Sequence, residues 1–378
     1  MSTIKVTNIN PPTAGEAVNL NGLAYPTAGP LSNRNLIING AMQVAQRGTS
    51  STSTGYQTVD RYSTDNSSGT VTKTQESLSS GDPYDQGFRK FLRLTNTSAV
   101  SDTAAGYRNI YQAVEAQNAA QSGWNYTSSS SYITLSFWVR SSVSQEYYGS
   151  VQTSDGTAQK YPFSTGTLTA NTWTKITKTI PGNSNITINS DNGVGLLVNI
   201  SPFWGTNYTD SGVSVDTWAS YSGSTRFPDF TSTWGTTASA TFDITGVQLE
   251  VGQVATPFEH RSYGDELRRC QRYYCLIASS IGIIGTGGAY NTGNVWAFVP
   301  FPVDMRATPS LDHASGTNYY TVIGEAGTDP FNSLTLEGNT TSRAARISAQ
   351  SGITVTQGSA YFIEINDTPA FVGFSSEL

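Results

Sequence analysis

The chain is poor in charge. Lys, Arg, Asp and Glu make up 13% of its 378 residues, about half of the ~25% usual in soluble domains. The formal net charge is −6, which argues against general DNA or RNA binding, because that needs a cationic surface. Cysteine is nearly absent: Cys270 and Cys275 are the only two, too few for a disulfide framework or a four-cysteine zinc site. Histidine is as scarce. Neither His260 nor His313 belongs to an HExxH or His-x-His pair, so a zinc enzyme has no ligands to draw on and no cofactor is expected. No window approaches 18 consecutive apolar residues, which excludes a transmembrane helix and membrane insertion through one. A basic n-region followed by an apolar run is missing at the N-terminus, so no secretion signal is expected. There is no Gly-x-Ser-x-Gly elbow, and no glycine-rich phosphate loop opens a helix.

What is present is aromatic and small-polar. Twenty Tyr, 15 Phe and 7 Trp with so little charge argue against disorder. Val, Ile, Thr and aromatic residues fall in short runs between Gly, Ser, Asn and Pro clusters, the pattern of strands. Ile133-Thr134-Leu135-Ser136-Phe137-Trp138-Val139 alternates, with Ile133, Leu135, Phe137 and Val139 on one face. Residues 107–111, 173–180, 240–251 and 361–365 read the same way. Such alternation suits antiparallel sheets with one buried face. No βαβ rhythm occurs, so a doubly wound fold is not expected. Gly285-Thr286-Gly287-Gly288 reads as a hairpin turn between strands.

The expected fold is all-β: an extended N-terminal arm over 1–34, a large β-sandwich over 35–258, a short helical linker over 259–277 and a smaller C-terminal β-sandwich over 278–378. Pro11-Pro12, Pro26 and Pro30, with few large apolar residues, leave 1–34 unable to make a core; strand addition through residues 4–9 is its expected mode of ordering. The one good helix covers 264–277. Asp265 and Glu266 complement its N-terminal dipole, and Arg269 sits four residues past Asp265. Tyr263, Leu267, Cys270 and Tyr274 form a narrow seam, the pattern of a short coiled coil or of a helix covering a sandwich end.

Little chemistry is on offer. His260, after Pro257-Phe258-Glu259, reads as structural. His313 in Leu311-Asp312-His313-Ala314-Ser315 offers a Ser/His pair, but without an elbow no hydrolase triad is expected. Glycoside hydrolysis needs only two carboxylates, and Glu146, Asp155, Asp216, Asp229 and Asp243 are the candidates; solvated or hydrogen-bonded loop acids are the simpler reading. Asp191-Asn192-Gly193 and Asp210-Ser211-Gly212 could lend oxygens to calcium, though no EF-hand loop occurs. Glycan binding suits the composition better, since sugar C–H faces stack on aromatic rings while Asn, Gln, Asp and Ser satisfy hydroxyls. The stretch 203–234 carries eight aromatics, among them Trp204, Trp218 and Trp234. The C-terminal region places Tyr290 and Asn291, then Tyr319 and Tyr320, in Gly- and Ser-rich turns of paratope-like composition. These seven residues are the candidate receptor contacts, and packing beneath their own loops is the alternative for each.

Several stretches resemble a family of bacteriophage tail fibre and receptor-binding proteins, best those of short-tailed phages of cyanobacteria and other marine bacteria. The first is Asn35-Leu36-Ile37-Ile38-Asn39-Gly40-Ala41-Met42-Gln43-Val44-Ala45-Gln46-Arg47-Gly48-Thr49-Ser50 with Thr58-Val59-Asp60-Arg61-Tyr62. The second is Ile244-Thr245-Gly246-Val247-Gln248-Leu249-Glu250-Val251-Gly252 with Ala255-Thr256-Pro257-Phe258-Glu259-His260-Arg261. In the family they open and close a jelly-roll domain similar to carbohydrate-binding modules. The Cys-Gln-Arg-Tyr-Tyr end of the helix, Phe301-Pro302-Val303-Asp304-Met305-Arg306-Ala307-Thr308-Pro309 and Phe374-Ser375-Ser376-Glu377-Leu378 follow in the family's order. The resemblance implies a homotrimer in the virion, with 1–34 joining the phage tail, the helix near the trimer axis and 278–378 as the receptor-binding tip for a host surface polysaccharide or lipopolysaccharide. It implies no catalytic residues. A glycan depolymerase and a structural tail connector or decoration protein are the alternatives.

Overall fold

The computed structural model describes residues 18–20, 23–25, 32–325 and 327–378. The expectation for strand addition through residues 4–9 lies outside them. The chain divides into two compact units, Met1–Ser262 and Tyr263–Leu378, and both are built almost wholly of antiparallel strands.

In the N-terminal unit a seven-stranded and a six-stranded sheet pack as a β-sandwich. The seven-stranded sheet runs Ala219–Ser220, Gln159–Thr167, Glu146–Thr153, Val194–Trp204, Tyr107–Glu115, Ser63–Ser67, Gly55–Tyr56. The six-stranded sheet runs Thr174–Pro181, Tyr132–Ser141, Thr241–Val251, Lys90–Thr95, Thr72–Ser77, Ser50–Ser51. Inward residues of both sheets form one core; Phe137 of one sheet and Phe163 of the other lie 6.2 Å apart. As the alternation requires, Ile133, Leu135, Phe137 and Val139 are fully buried in it. The opposite face of that strand is buried too, because Trp138 packs with Phe88 and Phe91 in a second cluster.

The two sequence stretches that bracket this unit are zipped together. Leu36 donates its amide to the Leu249 carbonyl at 2.9 Å and Val247 donates to that of Gly40 at 3.0 Å. The Asn35 side chain bonds to both stretches, donating to the Val247 carbonyl and accepting from the amides of Ile37 and Leu249. Arg261 reaches back to the carbonyls of Asn35 and Ile37.

The C-terminal unit is a smaller sandwich. A three-stranded sheet, Tyr274–Ser279, Phe371–Ser375, Ser310–His313, packs on a seven-stranded one. The latter runs Gly327–Phe331, Tyr320–Gly324, Ala360–Ile365, Gly282–Asn291, Asn294–Pro300, Ala344–Ala349, Thr335–Leu336.

Two local expectations need correction. The helix covers Tyr263–Gln271 rather than 264–277. Tyr274 begins a strand, paired with Ser375, so it does not continue the seam; Cys270 is buried and Tyr263 largely exposed. Gly285 to Gly288 is not a turn but the middle of strand Gly282–Asn291. A side chain at Gly287 would put its Cβ 1.7 Å from the Trp296 carbonyl oxygen of the neighbouring strand, so glycine permits a close backbone approach there. The hairpin closes instead between Asn291 and Asn294, where the Gly293 amide bonds to the Asn291 side chain.

Candidate functional site

The register defines the outer face of the seven-stranded sheet in the N-terminal unit. Ile110, Val151, Tyr161, Phe163 and Val198 point into the core, so residues alternating with them point outward. One outward row sets Ser63, Tyr111, Asn199, Ser150 and Pro162 side by side. The next sets Ala113, Leu197, Gln152 and Lys160 side by side. A third pairs Asp65 with Asn109 and, further along, Ser201, Tyr148 and Ser164.

A hydrogen-bond chain crosses this face. Trp204 Nε1 donates to Ser201 Oγ at 3.0 Å, Ser201 to Asn109 Oδ1 at 2.6 Å, and Asn109 Nδ2 to Asn199 Oδ1 at 3.1 Å. The chain ends on the Asn199 amide oxygen. Tyr111 and Asn199 remain half-buried, as do Gln152 and Asp65. Tyr56 stands edge-on to Tyr111 at 6.4 Å. Burial raises the Asp65 carboxyl pKa, opposed by the charge of Lys73.

Segment 205–230 seals the rest of the face. Phe227 packs with Tyr148 and Trp204, and Tyr208 and Phe230 pack against them. Trp204 stacks on Tyr107 at 4.7 Å. Beneath this segment lies Lys160, only 5% exposed. Its ammonium sits 3.7 Å from the centre of the Phe227 ring and 5.8 Å from that of Tyr221. Burial, and then the charge of Arg226, push its pKa down to about 6. The Arg226 guanidinium lies 4.7 Å from the Trp204 ring centre and 5.4 Å from that of Tyr221.

The seven sequence-nominated contacts are dispersed. Trp234 and Tyr320 are fully buried and Trp204 is 6% exposed, so these three offer no free ring face. Each has an internal partner: Trp234 donates to the Thr241 carbonyl, Tyr320 to that of Ala314, and Trp204 to Ser201. Their burial reflects the cost of leaving large rings in water when a sheet face lies within reach. Trp218 is half-buried, tied to the Pro181 carbonyl and edge-on to Tyr161. Tyr319 is half-buried against the C-terminal core. Asn291 is exposed and caps its own turn. Tyr290 is 58% exposed and stacks on Trp296 at 4.1 Å, with the Arg346 guanidinium 4.3 Å from the Trp296 ring centre.

The sequence reading passed over Tyr56, Tyr111, Asn199, Gln152 and Lys160. Their signal was the outward half of the alternation, most plainly Tyr107, Asn109 and Tyr111.

The outer face of the large C-terminal sheet mixes large apolar side chains with polar ones. Arg346, Phe298, Thr286, Phe362, Ile323 and Thr328 are cross-strand neighbours in one row. Two shallow depressions of about 440 and 590 Å³ flank Thr286 and Gly287.

All five nominated acids are engaged by neighbouring side chains. Asp243 is held by Arg93 at 2.8 Å and Arg140 at 2.7 Å. Asp216 pairs with Lys178, and Asp155 accepts from Asn189. Glu146 accepts from Tyr148 and Ser164, and Asp229 from Thr209. Burial first, then Glu146, push the Tyr148 hydroxyl up to about 12, with Asp229 adding to the effect.

Asp191 and Asp210 each accept the amide of a glycine two residues on. Among the described residues no three His, Cys, Asp or Glu side chains gather as a metal site. His260 bonds to the Gln86 carbonyl at 2.9 Å, packed on Phe88 and Phe258. His313 Nε2 meets both Ser333 and Ser315; two hydroxyls share one ring nitrogen, which is not the arrangement of a triad.

Comparison with protein-family models and with curated proteins finds no match. Among solved structures, the chain is similar to the enzymatically active domain of tailspike protein 4 of bacteriophage CBA120, at 11% identity and a TM-score of 0.32, over 57% of this chain and 21% of that one. It is similar to a family 11 carbohydrate-binding module of a Clostridium thermocellum cellulosomal cellulase, at 11% identity and a TM-score of 0.26, over 56% and 98%. It is also similar to a CBM22-1 xylan-binding domain from Paenibacillus barcinonensis, at 13% identity and a TM-score of 0.27, over 60% and 98%. The chain thus spans about a fifth of the tailspike structure's length. Likenesses this weak decide nothing about function; the sandwich architecture rests on the strands themselves.

Proposed function

We propose that the protein is a bacteriophage tail fibre protein that holds the virion to its host by binding a surface polysaccharide or lipopolysaccharide. In this reading it is a binder and not an enzyme, assembled in the host cytoplasm and carried in the virion tail, with 1–34 meeting the tail or its adaptor. The ordered motifs from Asn35 to Leu378 support the phage assignment.

The observation that carries the glycan reading is the outer face of the N-terminal unit's seven-stranded sheet. Half-buried Tyr56 and Tyr111 lie there among Asn199, Gln152 and Asp65. Rings offer stacking surface to sugar C–H faces, and amides and carboxylate match hydroxyls. Strands hold these side chains in place beforehand, so little ordering entropy is lost on binding. This face sets amides and a carboxylate beside its rings; the outer face of the C-terminal sheet leaves the large apolar side chains of Phe298 and Phe362 exposed. The glycan contact is therefore proposed for the N-terminal unit rather than for 278–378.

Exposed apolar side chains in 263–378 support self-association. Every large hydrophobic side chain found exposed among the described residues lies in 263–378: Tyr263, Ile281, Ile283, Tyr290, Phe298 and Phe362. Patches of this kind mark interaction surfaces, and a homotrimer would repeat the glycan site threefold, adding avidity.

A second reading is a depolymerase, in which Glu146, hydrogen-bonded to the Tyr148 and Ser164 hydroxyls on the same sheet face, would be one of the two carboxylates that glycoside hydrolysis needs. Incubation with host polysaccharide separates the two. A binder retains the polymer on a column and releases no reducing ends, whereas a depolymerase releases them and loses that activity in Glu146→Gln. Failure to bind host cells at all favours the connector reading.

A further inference from the structure

Lys160 occupies a place a lysine rarely takes. Its side chain is 95% buried, beneath the Phe227 and Tyr221 rings, and among the described residues its ammonium makes no hydrogen bond or ion pair. Buried ammonium groups are ordinarily paired, since an unpaired charge in a low-dielectric site is costly. The other charge facing it is of the same sign: Arg226, whose guanidinium shares the Tyr221 ring and whose Nε is spent on the Gly223 carbonyl.

The acids close by in sequence or sheet order are committed elsewhere. Asp216 turns to Lys178, Asp229 to the Thr209 hydroxyl and Asp210 to the Gly212 amide. Glu146, on the adjoining strand, accepts from Tyr148 and Ser164. Diagonal to Lys160 on the same face, the Ser150 hydroxyl is fully buried and has no hydrogen-bond partner. Among the described residues the Lys160 amine, the two Nη atoms of Arg226 and the Ser150 hydroxyl thus find no acceptor.

We infer that Lys160 and Arg226 form an anion subsite that takes an acidic substituent of the bound glycan, a uronate carboxylate or a sulfate or phosphate ester. The inference rests on the reading of this sheet face as glycan-binding. Arg226 supplies a planar donor fork suited to carboxylate or phosphate, and Lys160 supplies a point charge. The anion is the missing counter-charge, so its binding draws a proton onto Lys160. Affinity for acidic sugars accordingly rises as pH falls, by up to tenfold per pH unit between the depressed pKa of the free lysine and its higher value in the complex.

The test is calorimetric titration of the full chain with oligogalacturonate, a sulfated oligosaccharide and a neutral cello-oligosaccharide of equal length, at pH 6 and pH 8. Wild type should prefer at least one acidic oligomer over the neutral one by about tenfold or more, and more at pH 6. In Lys160→Met the acid-to-neutral ratio should fall towards one, and in Arg226→Gln it should fall partway. Binding of the neutral oligomer with no acidic preference overturns the inference and leaves the glycan reading standing. Binding of no oligomer counts against the glycan reading.

Inorganic sulfate, matched in ionic strength with chloride, reads the subsite without any sugar. At pH 6 it should raise the melting temperature of wild type and not of Lys160→Met. Equal behaviour of the two proteins overturns the anion subsite whatever the sugars do.

Discussion

Gly40 decides how the N-terminal unit closes. A Cβ there would lie 2.1 Å from the Val247 carbonyl oxygen, the very group whose chain segment the 34–40 stretch zips onto. Gly40→Ala must push the two stretches apart, and overpacking of this kind costs about 1–3 kcal/mol. Urea unfolding should show a lower midpoint with an unchanged slope. Asp243 joins two arginines across three strands of the six-stranded sheet, its own carboxylate 1% exposed and the arginines about a quarter exposed. Asp243→Asn keeps the shape but removes the charge both guanidiniums share, an expected loss of roughly 1–3 kcal/mol given their access to water.

Lys160 gives a pH signature. Its pKa is low in the folded chain, about 6, and near 10.4 when unfolded. Between those values the unfolded chain binds the extra proton, so wild-type stability rises with pH across that window. Lys160→Met removes the effect and should melt higher than wild type at neutral pH. That gap should widen as pH falls from about 10 to about 6.

At the scale of elements, segment 205–230 is pinned to the sheet by its rings. Phe227→Ala empties the centre of the Tyr148, Trp204, Phe227 cluster, a loss of about 3–5 kcal/mol by analogy with other buried aromatics. The loss should fall on this segment first, so limited proteolysis should cut within 205–230 before global unfolding. The same segment shows what the sequence could convey. The strands were legible wherever one face was apolar and the other polar, as at Ile133, Leu135, Phe137 and Val139. The helix end was not, because Tyr274 fits a helical spacing and a strand equally, and only its pairing with Ser375 decides. Gly285 to Gly288 misled for a similar reason: glycine marks both turns and close strand contacts, and the Trp296 carbonyl that distinguishes them is distant in sequence. The site was legible in composition but not in place. An aromatic-rich loop looks like a platform, yet Trp204 and Trp234 are themselves buried, and the half-buried rings of Tyr56 and Tyr111 come from strands brought together by register.

At the scale of the whole molecule, the proposed glycan contact and the proposed self-association fall on different sandwiches. Sedimentation should give a species of three times the 40.4 kDa chain mass. The double variant Phe298→Glu, Phe362→Glu should shift it to monomer while keeping the β-sheet signal, since six carboxylates would meet in one apolar contact; a monomeric wild type contradicts the trimer. Exchanging residues 278–378 with those of a relative adsorbing to another host should leave host preference unchanged if the glycan contact lies in the N-terminal unit as proposed. The most direct measurement is binding of the purified full chain to polysaccharide from its host, wild type against Tyr111→Ala. Tyr111 is half-buried at the centre of the outer face, flanked by Ser63 and Asn199. Removing a stacking ring should weaken binding by about tenfold, with no change in melting temperature beyond a few degrees. Wild-type binding that Tyr111→Ala leaves intact would contradict the account and move the glycan contact off this face.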